Sequence, residues 1–258
     1  MPVSSLPQRL LALLALTVAL ATGLVSVGSP AHAAGYSAPL QTAIADLVVS
    51  SEVRTGYDRA LFKHWVDADG DGCSTRNEVL ISEADDPVTV GSGCALSGGR
   101  WYSYYDAVSQ YSASALDIDH MVPLAEAWDS GARTWSAAER ESFANDLADT
   151  RSLVAVTASV NRSKGDRDVA EWLPANAQCR YLREWVAVKH RWRLAIDSAE
   201  KSAISSLAEI SSPSAQIRVG DELVGLGLHQ LHDHGHPGAL SATCSPPARP
   251  GPWSSTAT

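Results

Sequence analysis

The sequence predicts an α+β fold in a single domain. Apolar residues recur at steps of three and four near both ends of the chain, while short β-branched and aromatic runs lie between them. No internal repeat and no linker rich in proline, glycine or serine divides it. With 258 residues, 45% hydrophobic and 19% charged, it can bury one sizeable core. That composition excludes a collagen-like, coiled-coil or wholly disordered protein.

In chain order, residues 1–33 stand apart. Arg9 precedes an uncharged apolar run over 10–27, and Ser29 and Pro30 lead into Ala31, His32, Ala33 and Ala34. A basic start, an apolar run and a small-x-small site predict a secretory signal peptide cleaved after Ala33. The run falls short of the roughly 20 residues a spanning helix needs, so the mature chain is expected to be secreted, with no membrane partner after cleavage. Helices are predicted over 38–53 (Leu40, Ile44, Leu47 and Val48 on one face), 57–65 and 75–84, and the stretch 87–99 reads as a loop. A strand over 100–105 carries Trp101, Tyr102, Tyr104 and Tyr105, whose alternate members suit core packing, with base stacking on nucleic acid as the rival reading. An extended segment over 116–124, a helical insertion over 135–147 and a β-rich run over 152–157 follow, the run ending at Asn161 before a turn-like polar block over 162–168. Residues 177–210 read as helix through Leu182, Trp185, Val188, Trp192 and Ala195. The domain is expected to span 34–245, and the tail 246–258, with four prolines, to be disordered. His229, His232, His234 and His236, set among glycine and proline, read as flexible chain.

In an oxidising compartment the four cysteines predict two disulfides. Of three connectivities, Cys73 with Cys94 and Cys179 with Cys244 is favoured, since each then staples a local excursion.

The stretch DADGDGCSTRNE over 67–78 has the spacing of a twelve-position calcium loop. Asp67, Asp69 and Asp71 fall at positions 1, 3 and 5, Gly72 at the sharp turn, the Cys73 carbonyl at 7, Thr75 at 9 and Glu78 at 12. Ser74 departs from the apolar residue usual at position 8. Two further readings stand beside this one: a surface turn that binds nothing, and a loop whose Arg76 and Glu78 serve neighbouring chemistry.

The stretch LDIDHMVPLAEAW over 116–128 places Asp119 immediately before His120. Neighbours on a strand point to opposite faces, so a bend or bulge is expected to bring both to one site. Asn161, in VNRSKGD, follows 41 residues after His120. Aspartate and asparagine oxygens suit magnesium or manganese, and histidine accepts a proton near neutral pH.

DIDH followed by NRSKGD resembles the HNH, or ββα-metal, nucleases. It is closest to the type found in secreted actinobacterial HNH proteins and in the C-terminal domain of a modification-dependent restriction system. The resemblance implies a ββα-metal core over about 115–173 with a helical part over about 176–210. It further implies that Asp119 and Asn161 bind a divalent cation, Mg2+ or Mn2+, and that His120 is the general base. The terminal histidine ligand of other HNH enzymes has no counterpart in NRSKGD, which favours a hard cation over zinc. Arg162 and Lys164 then fall where they could contact flanking phosphates, and Asp117 would orient a neighbour or support the fold.

The net charge of −9 argues against a polyanionic partner, yet it is unevenly spread. Residues 151–193 hold nine Lys or Arg against four acids, whereas 31–150 hold seven against nineteen. The expected function is a secreted endonuclease acting on DNA, and on RNA as a second substrate, with little sequence preference and no protein partner. The rival readings are a calcium-stabilised binding module with an inactive HNH-like core, and a hydrolase of other phosphodiesters.

Overall fold

The computed structural model describes residues 36–210 and 216–219. The leader, the histidine cluster, Cys244 and the tail fall outside the described residues. Strand β1 (Tyr36–Pro39) pairs antiparallel with β7 (Gln216–Val219). Helix α1 (Leu40–Asp46) buries Leu40, Ala43 and Ile44. It ends well before residue 53, because Val48 and Val49 are β-branched and continue as extended chain, with Val49 bridging Ile196. Val48 is therefore 69% exposed and not on a buried helical face. The helix expected over 57–65 is only a 3-10 turn, Arg59–Leu61, capped by Asp58.

Helix α2 (Thr75–Ser82) starts where the Ser74 hydroxyl accepts the Asn77 N–H. The stretch expected to be a loop over 87–99 is a hairpin instead. Strands β2 (Asp86–Val90), β3 (Leu96–Ser103) and β4 (Val108–Gln110) form an antiparallel sheet in that order. Glycines hide β3 from a propensity reading, and one of them is required: Gly99 has φ +85°, and a Cβ there would lie 2.5 Å from the Trp101 ring. The expected disulfide joins Cys73 to Cys94, tying the acidic loop to the hairpin turn. Cys179 is also disulfide-bonded.

A further two-stranded sheet pairs β5 (Leu116–His120) with β6 (Leu153–Thr157), and α5 (Ala158–Lys164) follows β6 directly, completing a ββα unit. The excursion over 121–152 contributes α3 (Leu124–Asp129), not foreseen in the sequence, and α4 (Ala137–Ala144), whose Ser136 and Glu139 form a capping box. Asn161, expected at a strand end, and residues 162–164 of the block expected as a turn lie within α5, which stops at Gly165 with φ +60°.

The long helix expected over 177–210 is two, α6 (Gln178–Arg191) and α7 (Ser198–Ile210). Between them Arg193 takes φ +51°, and Ile196 hydrogen-bonds back to Val48. One apolar cluster joins α1, α3, α6 and α7 around Tyr181, Trp185 and Leu182. A smaller one packs α2, β3, β5 and β6 around Leu80, Trp101 and Ile118. The ββα unit lies between them, and that position fixes the ends of β5 and α5.

Candidate functional site

A cleft of about 160 Å3 opens at the end of β5 and is lined by Asp119, His120, Pro123, Asn161, Arg162 and Arg59, among others. The expected bulge is absent. The ladder runs unbroken through Asp119 opposite Val154 and His120 opposite Leu153. Because the strand stops at His120, the cleft reaches both neighbours around its end.

Each of the two side chains is held by a separate shell. Asp119 is 5% exposed, and its Oδ2 accepts from Lys164 Nζ at 2.5 Å and from Tyr105 Oη at 2.5 Å. No described hydrogen bond falls on Oδ1. Burial pushes the Asp119 carboxyl above the usual carboxylate range, while Lys164 and Tyr105 act against that shift. A cation facing Oδ1 would compensate the remaining cost.

His120 Nε2 lies 2.9 Å from the Ala144 carbonyl. A carbonyl only accepts, so Nε2 carries the proton and Nδ1 is left as the basic nitrogen. The ring sits against Trp65 at 5.2 Å, His64 at 6.3 Å and Phe143 at 6.4 Å between centroids. Burial, and then the charge of Arg59, lower its pKa to about 3, so the imidazole is neutral around pH 7.

The other predicted residues divide. Asn161 and Arg162 line the cleft from α5. Arg162 keeps 72% of its side chain exposed while pairing with Asp117 at 3.3 Å, so Asp117 orients it. Lys164 does not face a substrate. It is fully buried, and Nζ also donates to the carbonyls of His120 (3.0 Å) and Met121 (2.9 Å). From the last turn of α5 its ammonium is held inward by the Asp119 carboxylate and by the carbonyls at the end of β5.

Part of the basic segment over 151–193 is also drawn into internal pairs. Lys189 is buried against Glu126 and Glu200, Arg191 against Asp146, and Arg151 pairs with Asp149. Arg180 pairs with Glu184 and lies over the Tyr104 ring. Composition records charge without its partners.

Sequence reasoning missed Arg59, Trp65 and Tyr105. Arg59 and Trp65 sit in a segment read as an ordinary helix, far along the chain from His120. Tyr105 was read only within an aromatic packing run, yet its hydroxyl serves Asp119.

In the acidic loop, oxygens of Asp67, Asp69 and Asp71 lie within 4.8 Å of one another, and those of Asp71 and Glu78 are equally close. Thr75 does not face them. It is 2% exposed, and its hydroxyl donates to Val66 O and Asn145 Oδ1, both at 2.9 Å. The Cys73 sulfur is in the disulfide, which leaves only its carbonyl to the loop. Arg76 donates to the carbonyls of Ala113 and Leu116 and so supports β5 without reaching the cleft.

Residues 83–207, which contain the whole ββα unit, match the family described as GmrSD restriction endonucleases, C-terminal domain. An "Uncharacterized secreted protein" of Arthroderma benhamiae is 44% identical over 154 residues, covering 59% of this chain and 74% of that protein. No solved structure matches the chain. Among the described residues no helix is long and apolar enough to cross a membrane.

Proposed function

The chain belongs to the family of GmrSD restriction endonuclease C-terminal domains, and on that premise we propose that it is an exported, metal-dependent endonuclease hydrolysing phosphodiester bonds of DNA. The observation that carries this reading is the meeting of Asp119, His120 and Asn161 on one cleft, with His120 fixed in the tautomer that leaves Nδ1 basic.

In this reading Nδ1 of His120 takes a proton from the attacking water, and the Ala144 carbonyl, already accepting from Nε2–H, stabilises the imidazolium that results. An anionic phosphate in the cleft raises the histidine pKa from its low resting value as the proton arrives. Asp119 Oδ1 and the Asn161 side-chain oxygen would hold a hard divalent cation, magnesium or manganese, with water completing its shell. When bound, that cation neutralises charge on the phosphate and on the leaving oxygen. Arg162 and Arg59 hold the flanking phosphates, in place of the Lys164 expected from sequence. No base-reading element lies at the cleft, which supports backbone recognition with little sequence preference. The acidic loop offers Asp67, Asp69, Asp71, the Cys73 carbonyl and Glu78 to calcium, without Thr75.

The test is digestion of supercoiled plasmid and single-stranded RNA by the disulfide-intact protein with magnesium, manganese, calcium or chelator. Cutting that needs metal and is lost in both His120→Ala and Asn161→Ala supports the assignment, and the RNA lane sets the substrate range. Cutting that survives both substitutions overturns it. Intact nucleic acid in every metal moves the reading to a calcium-stabilised binding module.

A further inference from the structure

Away from the cleft, four segments of the chain converge on a second polar interior. The extended stretch after α1 brings Glu52, α3 brings Glu126 and Asp129, the turn after α5 brings Asp168, and the start of α7 brings Asp197 and Glu200. Oxygens of Glu52, Glu126 and Asp129 lie within 4.8 Å of one another, as do those of Asp168, Asp197 and Glu200. Lys189, fully buried, bridges the two trios at 2.6 Å from Glu126 and 3.2 Å from Glu200. Arg54 closes on Asp129 at 2.6 Å. Six carboxylates thus meet two bonded cations, and most of the carboxylates are buried.

Two buried polar atoms are left over at this place. Asp129 is only 2% exposed, and its Oδ1 has no hydrogen-bond partner, both bonds from Arg54 falling on Oδ2. Tyr181 is fully buried, and its hydroxyl is also unpartnered. Burial and the charges of Asp119, Asp168, Glu200 and Glu126 push that phenol well above its ordinary pKa, so the hydroxyl stands in the field of these carboxylates without bonding to them. Burial, and then the charges of Glu126 and Asp129, lift Glu52 to about 7. A buried carboxylate oxygen and a buried hydroxyl without partners carry an uncompensated loss of hydration, which a ligand among them removes.

We propose that Glu52, Glu126 and Asp129, backed by Asp168, Asp197 and Glu200, form a structural calcium site separate from the Asp119–Asn161 cleft. The donors are all oxygen, which selects a hard cation. Several carboxylates from four separate chain segments make a large, adaptable cage of the kind calcium takes, whereas magnesium keeps most of its water and uses one or two carboxylates. Bound there, calcium ties the arm after α1 and the start of α7 to α3 and to the turn that follows the site helix α5. Glu52, the exposed member, closes the site from solvent.

The experiment is a calorimetric titration of calcium into chelator-stripped protein carrying Asp69→Ala and Asn161→Ala, which withdraw the acidic loop and the cleft. Terbium luminescence, sensitised by Trp185 whose indole bonds Glu200, is read in parallel. One calcium per chain with a dissociation constant below about 1 mM, the weak end for extracellular modules, is expected. Glu52→Gln should weaken it at least tenfold, and Asp129→Asn should abolish it. Magnesium should compete poorly. Glu52 is exposed, so its variant keeps the fold even where Asp129→Asn loses it, as circular dichroism checks. No binding in the doubly substituted background, or a loss smaller than tenfold in Glu52→Gln, overturns the site.

Discussion

Asn145 caps the end of α4 and uses its whole amide. Oδ1 accepts the Val66 N–H at 3.1 Å and the Thr75 hydroxyl at 2.9 Å, while Nδ2 donates to Lys63 O at 2.8 Å and Glu141 O at 2.7 Å. The residue before it, Ala144, supplies the carbonyl that fixes His120. Asn145→Ala removes all four bonds at once. At about 1 kcal/mol net each the ceiling is about 4 kcal/mol. Thr75 keeps its bond to Val66, and the freed carbonyls of Lys63 and Glu141 are reachable by water, so the expected loss is about 2 kcal/mol. Asn145→Asp keeps both acceptor bonds but sets a carboxylate oxygen against the Lys63 and Glu141 carbonyls, and should cost at least as much as the alanine variant. Urea unfolding measures the stability term. Plasmid cleavage under conditions where both variants are fully folded measures the second term, a drop in kcat of about tenfold or more as Ala144 and the imidazole lose register. A destabilisation under about 0.5 kcal/mol would refute the count of bonds. Full destabilisation with kcat unchanged would falsify the link from Asn145 to His120.

Lys164→Met leaves Asp119 buried without its ammonium and should cost about 3–5 kcal/mol, most of it recovered in the double variant with Asp119→Asn; chemical denaturation of all three checks this. Opening the Cys73–Cys94 bridge with paired serines frees a segment of sequence separation 21 and should cost about 3 kcal/mol by the same assay. Glu83, whose Oε2 accepts the Ala155 N–H, is pushed up to about 8 by burial. A raised carboxyl binds its proton more tightly folded than unfolded. Its stabilising contribution is therefore complete below the ordinary glutamate pKa of 4.5 and is lost as pH rises through 8. Thermal melts should fall across that window in the wild type and flatten in Glu83→Gln; equal slopes would refute the assignment.

The parts of the fold legible in sequence were those whose signal is local. β5, β6, α2 and α4 stand where β-branched runs, the Ser74 cap and the Ser136 capping box put them. Asp119, His120 and Asn161, which line one cleft, were legible as candidates because they sit in two compact motifs. What failed was tertiary. Val48 was lost from a helical face because Ile196, far along the chain, offered a bridge, and the same contact broke the long C-terminal helix. Glycines concealed β3, whose pairing comes from the hairpin and its disulfide more than from propensity. Arg59 and Tyr105 reach the site through loops and strand ends whose direction no periodicity records.

Lys164 shows why charge counts misled and what the cleft then requires. The segment with nine basic residues sends Lys164, Lys189 and Arg191 into the interior, where each meets acids from outside the segment that the local count left out. At the cleft mouth Arg59 and Arg162 face Asp119 and Asp166, with Asp117 already paired to Arg162. Among the described residues, the side chains lining this cleft therefore carry no net positive charge to draw a polyanion. In the proposed enzyme, attraction is expected from divalent cations held by the acidic oxygens, so the metal should govern substrate binding as well as chemistry. Raising magnesium in the proposed enzyme is then expected to lower KM for DNA together with raising kcat. Arg162→Ala, by removing one of the two exposed arginines, should raise KM more than it lowers kcat. Steady-state cleavage kinetics across a magnesium series decide this, and a KM indifferent to the metal would mean that the substrate is held by surfaces remote from this cleft.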